Sequence, residues 1–408
     1  MPGDAVAQSD AFAGYVGEAV ERRAVASRGL FERQAETLAI VCHRMAERFA
    51  RGGRLIALGV TPAARTDVAH VVVEFVHPVI VGKRALPALG CCGEKVAPAA
   101  ELAAQVRGED ILVAFGEPAD GAELLRAVRV ARAAGALTLA FDELGAEWSL
   151  TVPAPDADVR QELVEVAYHV LWELVHVFFE HRGLLEGRKP RPLHDTGAAA
   201  FLYPFLTEGE GDLDSVLRDV AGSARAKAAE TQALRRATMT KSQAQLMAAA
   251  MSLRGALDAG GKVLTFGNGG SATDAADLAV DLLSGAGGLP RRPALDLGEC
   301  SAILTAIAND IGSDAILSRQ LIAHGGEGDA LVVFSTSGGS ANVLAGLEEA
   351  CRRGLATVAL VGYDGGAIAE RGLADHVIIV PSQHIPRIQE AQATAAHILR
   401  ELIERVRA

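Results

Sequence analysis

The chain repeats itself, and the repeat dictates the fold. The segment RGEDILVAFGEPADGAELLRAVRVARAAGALTLAF from Arg107 registers without a gap on GEGDALVVFSTSGGSANVLAGLEEACRRGLATVALV from Gly326. Hydrophobic runs, the Asp before the first strand and the Gly before the last strand fall together. A second pair, RQELVEVAYHVLWELVHVFFE from Arg160 and IQEAQATAAHILRELIERV from Ile388, aligns Gln with Gln, Glu with Glu and His with His. Two copies in 408 residues leave about 200 residues for each, enough for one core.

Within each copy, short apolar runs alternate with helical patterns. The runs are RLIALG, DILVAF and ALTLAF in the first half, and KVLTFG, ALVVFS and TVALVG in the second. Runs this short, separated by a dozen or more helix-patterned residues, predict buried parallel strands joined by crossovers. Residues 14–50 and 213–258 show helical spacing ahead of each copy. The expected fold class is α/β: two tandem domains, each a parallel-sheet αβα sandwich with an N-terminal helical extension. The expected division is 1–182 for the first domain, 183–212 for a linker rich in Pro and Gly, and 213–408 for the second.

Composition narrows the partners. A formal charge of −12 argues against a phosphate-backbone binder, which needs a concentrated basic surface, so no nucleic acid is expected. The five cysteines are odd in number and form no CxxC pair, which points to a reducing cytoplasm and to no thiolate zinc site. No apolar run reaches spanning length, and no membrane partner is expected.

The two copies differ where ligands would bind. In the second, Asn268, Gly269, Gly270 and Ser271 follow a strand and open a helix. Bare N–H groups and a helix N-terminus at such a place attract an anion. Ser335, Thr336, Ser337 and Ser340 follow the next strand of the same sheet, so hydroxyls from two strand ends can converge at its carboxyl edge. At the equivalent places the first copy reads GVTPAARTDVAH and GEPADGAEL, with the small donors mostly gone.

That first copy instead carries His and Glu at helical spacing. His70, Glu74 and His77 share one helix face, and His169, Glu173 and His176 repeat the pattern on another. Such stripes inside apolar helices are costly to bury unless partnered. Nitrogen with carboxylate oxygen suits a divalent metal, zinc first, with iron or nickel as alternatives.

GNGGSATDAADLA, LTAIANDIGSDAILSRQL, STSGGSANVL and PRIQEAQATAAHILRELIE resemble the sugar isomerase (SIS) domain family, and most of all its phosphoheptose isomerases. The resemblance is close over residues 215–408 and fainter over 14–182. It implies that both loops hold a sugar phosphate and that Asn309 and Asp310 also contact it. It further implies a metal and acid/base set of His and Glu after the first loop, with Gln and His on the last helix. In the first copy these are His70, Glu74, Gln161 and His169. In the second they read Asp277, Asp281, Gln389 and His397, so a His is lost and a Glu is shortened.

The implied activity is aldose/ketose isomerisation of a sugar phosphate, of the sedoheptulose 7-phosphate type, through an enediol. Asp281 and His397 are its expected acid/base pair, and Glu74 and His169 the corresponding groups in the first copy. A homodimer forming a pseudo-tetramer of SIS domains is the implied assembly. Two other readings stay open on the sequence: a phosphosugar-sensing regulator without chemistry, and a metal-binding accessory protein.

Overall fold

The computed structural model describes residues 2–79, 83–93, 96–180 and 213–406, the side chains of residues 2–11 and 180 excepted. The expected linker, 183–212, lies outside the described residues. The chain divides into two compact units. The N-terminal unit comprises Ala26–Pro155 and Val159–Ala229; the C-terminal unit comprises Met1–Val25, Asp156–Asp158 and Glu230–Ala408.

The N-terminal unit is built from β1 (Leu55–Leu58), α2 (Pro62–Val76), β2 (Ala88–Cys91), α3 (Pro98–Gln105), β3 (Ile111–Ala114), α4 (Ala122–Ala133), β4 (Leu137–Ala140) and β5 (Trp148–Ser149). Most of α5 (Ala157–Glu180) belongs to it, as do the C-terminal part of α1 (Pro2–Ala50) and the N-terminal part of α6 (Leu213–Lys241). Its five strands run parallel in the order β2-β1-β3-β4-β5.

The C-terminal unit repeats the plan. It holds α7 (Gln243–Asp258), β6 (Val263–Phe266), α8 (Gly270–Ser284), β7 (Ala294–Asp296), α9 (Ser301–Asp310), α10 (Ile316–His324), β8 (Ala330–Ser335), α11 (Ala341–Arg352), β9 (Ala356–Gly362), α12 (Gly366–Glu370), β10 (His376–Val380) and α13 (Ile385–Arg405). The order β10-β9-β8-β6-β7 is the same topology read from the other edge.

Alternation along the strands makes three layers. In β8, Ala330, Val332 and Phe334 enter the core on one face, while Leu331 and Val333 enter the core on the other. In β1, Leu55 and Ala57 face one core and Ile56 and Leu58 the other. A sheet buried on both faces needs helices above and below it, which is why its strands read as unbroken apolar runs.

The duplication extends to individual bonds. The Asp110 carboxylate accepts from the Arg54 backbone N–H (3.0 Å), the Arg107 N–H (3.0 Å) and the Arg54 guanidinium (2.7 Å). Asp329 accepts in the same way from the Lys262 N–H (2.9 Å), the Gly326 N–H (3.0 Å) and the Lys262 ammonium (2.6 Å). Each clasp fixes where the central strand starts. At the far end of β1, a Cβ on Gly59 would lie 2.5 Å from the Ala64 carbonyl oxygen, and one on Gly267 would lie 2.1 Å from that of Ser271. Only glycine permits so close a hand-over from strand to helix.

Candidate active site and metal centre

In the C-terminal unit, β6 and β8 are parallel neighbours, so the loops after them leave the same edge of the sheet. The first loop turns at Gly269 (φ +58°) and passes into α8 at Gly270; the second passes through Gly338 (φ +61°) into α11. Two helix N-termini therefore start at this edge, each with unsatisfied N–H groups. The loops are tied together: the Asn268 amide donates to Asn342 Oδ1 (3.0 Å) and the Asn342 amide donates back to Asn268 Oδ1 (2.8 Å). Ser335 Oγ accepts from the Gly338 N–H (3.1 Å) and Ser337 Oγ from the Gly339 N–H (3.2 Å), which shape the second loop. Ser271 is buried in the first turn of α8, Thr336 and Ser340 are half-buried, and Ser337 is exposed. Asn309 and Asp310 end α9 on the surface, where the Asn309 amide donates to the Asp310 carboxylate (2.7 Å).

Helix α8 connects these loops to a cluster of charged groups. Asp277 and Asp281 follow Ser271 at helical spacing, so Asp277 lies about 9 Å further along the axis. His397, on α13, points its Nε2 between them, 3.6 Å from Asp277 and 3.7 Å from Asp281. The Arg400 guanidinium forms an ion pair with Asp281 at 2.9 Å and donates a hydrogen bond to Asp158. Burial pushes the Asp281 carboxyl up to about 7, reinforced by the Asp277 and Asp158 charges and opposed by His397 and Arg400. Gln389 is buried on α13, about two turns before His397.

The N-terminal unit brings His70, Glu74 and His169 together with their ligand atoms within 4.8 Å of one another, all buried. The two imidazole Nε2 atoms are 3.3 Å apart, and Glu74 Oε1 is 3.9 Å from that of His70. Two nitrogens bound to one tetrahedral zinc lie about 3.4 Å apart, so the histidines already have that spacing. Glu74 Oε2 has no hydrogen-bond partner among the described residues, although it is buried. Burial raises Glu74 to about 7, and burial with the neighbouring His169 keeps His70 well below the usual imidazole range. Neutral imidazole is the form that binds a metal. The donor set therefore fits a divalent cation.

The other residues of the two stripes are placed elsewhere. Gln161 donates its amide to Thr66 Oγ1 (3.4 Å). Glu173 is engaged by the buried Lys227 ammonium. His176 has both ring nitrogens at carbonyl oxygens, of Trp172 (2.9 Å) and Arg84 (3.0 Å), while His77 is the exposed C-cap of α2.

The SIS domain family matches residues 228–362. The phosphoheptose isomerase of Citrifermentans bemidjiense is 48% identical over 152 residues, which is 37% of this chain and 78% of that relative. The chain belongs to the SIS domain family. Its whole length has the fold of two-domain SIS proteins. The C-terminal domain of glucosamine-fructose-6-phosphate aminotransferase from Francisella tularensis covers 96% of this chain and 95% of its own, with a TM-score of 0.57 and 12% identity. The tagatose-6-phosphate ketose/aldose isomerase from Escherichia coli covers 97% of this chain and 94% of its own, at a TM-score of 0.52 and 11% identity. Both units are thus αβα sandwiches on a parallel sheet, and the C-terminal one carries the similarity to phosphoheptose isomerases.

Three residues of these sites escape a motif reading. Asn342 ties the loops, and its only signal is its place in the first turn of α11. Arg400 stands three residues after His397 on one helix, so a shared face could have been read from the spacing. Asp158 reaches Arg400 across 242 residues of sequence, and nothing local announces it.

Proposed function

We propose that the C-terminal SIS domain binds a phosphorylated sugar and interconverts its aldose and ketose forms, with sedoheptulose 7-phosphate as the type substrate. The observation that carries this reading is the continuity of α8: it starts in the amide-tied loops and, further along, presents Asp277 and Asp281 to His397. The phosphate would take the helix N-termini and the loop hydroxyls of Ser271, Ser335, Thr336, Ser337 and Ser340, with Asn309 and Asp310 as further contacts. His397 would remove the proton from the carbon beside the carbonyl and return it to the neighbouring carbon. Asp281 would carry the accompanying hydroxyl proton through the enediol. Similarity to phosphoheptose isomerases over this same region supports the reading.

In the N-terminal domain, His70, Glu74 and His169 are proposed to hold zinc, with Gln161, on the same helix as His169, joining them only if its amide leaves Thr66. Bound there, zinc supplies Lewis acidity that polarises an oxygen ligand. The reading extends to a homodimer in the cytoplasm, a pseudo-tetramer of SIS domains, which light scattering and cell fractionation test. Among the described residues, no helix is long and apolar enough to cross a membrane.

A second reading draws on the Arg400 contact. A carboxylate gripped by a guanidinium is a poor proton carrier, which favours a phosphosugar sensor without turnover. Incubating the purified chain with sedoheptulose 7-phosphate and following new sugar-phosphate signals by NMR separates the two. Turnover that His397→Gln abolishes supports the isomerase. Saturable binding without turnover supports the sensor, and no binding at all sinks both.

A further inference from the structure

In the C-terminal domain Asp158, Asp281 and His397 bring ligand atoms within 4.8 Å of one another, but a guanidinium already lies against two of them. Asp281 is 5% exposed and Arg400 2%. One terminal nitrogen of the guanidinium lies 2.9 Å from Asp281 Oδ2, an ion pair without hydrogen-bond geometry, and the other donates to Asp158. A guanidinium never loses its charge and presents its donors in a planar fork suited to carboxylates. An ion bound by Asp158, Asp281 and His397 would have to displace that fork or share its oxygens with it. Displacement would strand a buried positive charge, and sharing would press two cations together where little water screens them. In the N-terminal domain the residue at the same place, three after its histidine, is Trp172, a buried indole with no charge. There Glu74 lies with two imidazoles.

We infer that Arg400 is the resident cation of the C-terminal carboxylate cluster, so that this cluster holds no divalent metal and the proposed zinc belongs to the N-terminal cluster alone. The inference concerns which cation balances the cluster and stands apart from whether the chain turns over a sugar.

Zinc binding by the full chain, measured by equilibrium dialysis with elemental analysis, tests it. The double variant His70→Ala/His169→Ala leaves the C-terminal cluster untouched and is expected to retain no zinc. Adding Arg400→Gln to it is expected to create a zinc site, about one equivalent per chain, which Asp281→Asn then removes. A zinc that survives in the double variant and disappears on Asp281→Asn overturns the inference. So does a folded Arg400→Gln triple variant, checked by circular dichroism, that gains none. If the triple variant does not fold, the double variant alone still decides. Failure of the wild-type chain to bind zinc would count against the N-terminal metal centre and leave Arg400 to be judged by the other two arms.

Discussion

The two domains bury the same kind of cluster with different neighbours. Each buries carboxylate beside histidine between the helix that follows its first strand and its last helix. In the N-terminal domain the arrangement is His70, Glu74 and His169, with the two imidazoles at metal-ligand spacing. In the C-terminal domain Asp277 and Asp281 surround His397, and Arg400 closes the cluster. The loops differ in the opposite sense: the C-terminal domain keeps two helix N-termini tied by an amide pair, whereas the N-terminal domain opens α2 with Thr61 capping its own helix through the Ala64 N–H. A cap that satisfies the helix internally leaves less for an outside anion.

The sharpest way to break this comparison is to remove the proposed proton carrier. His397→Gln is expected to lower kcat by about 10²–10⁴-fold, with phosphosugar affinity changed less than about threefold. An equal loss in affinity would mean that His397 binds rather than transfers protons. The shared clasp comes next. Asp110→Ala leaves two N–H groups and a guanidinium without their acceptor, and is expected to cost about 3 kcal/mol in urea unfolding. Asp329→Ala, whose carboxylate is less deeply buried, is expected to cost about 2 kcal/mol. A reversed order would show that the two clasps are not equivalent.

Smaller effects refine the assignment of the loops. Ser337→Ala is expected to weaken phosphosugar binding about tenfold by calorimetry while leaving bound zinc unchanged. Asp296, at the end of β7, is raised to about 6 by burial, opposed by the Gly298 N–H and reinforced by Glu299. Its neutral form is the one the fold favours, so its contribution is present below about pH 4 and lost as pH rises through about 6. Asp296→Asn should therefore raise the Tm at pH 8 and leave it unchanged at pH 3.5, and the same gain at both values would rule out titration as its source.

Much of this was legible from residues alone, and the limits have physical causes. The three central strands of each sheet, β1, β3 and β4 and then β6, β8 and β9, are apolar on both faces and stand out as runs. The outer strands β2, β5, β7 and β10 do not: Ala88–Cys91 is exposed at its two middle positions, and Trp148–Ser149 is only two residues long. The His and Glu stripes predicted a cluster, but helical spacing cannot say which members turn inward. His77 falls at the helix end, and Glu173 meets Lys227 from a distant helix. Arg400 was hidden for a related reason, since its meaning depends on Asp158, which only the folded chain brings near.

Gly59 carries a lesson for reading other chains of this kind. Its turn is present in a domain whose loop lacks the serine hydroxyls of the C-terminal copy, because the following helix crowds the backbone whether or not anything binds there. A glycine after a strand is thus a signature of chain routing. The hydroxyl and amide side chains that follow it can change while the route persists.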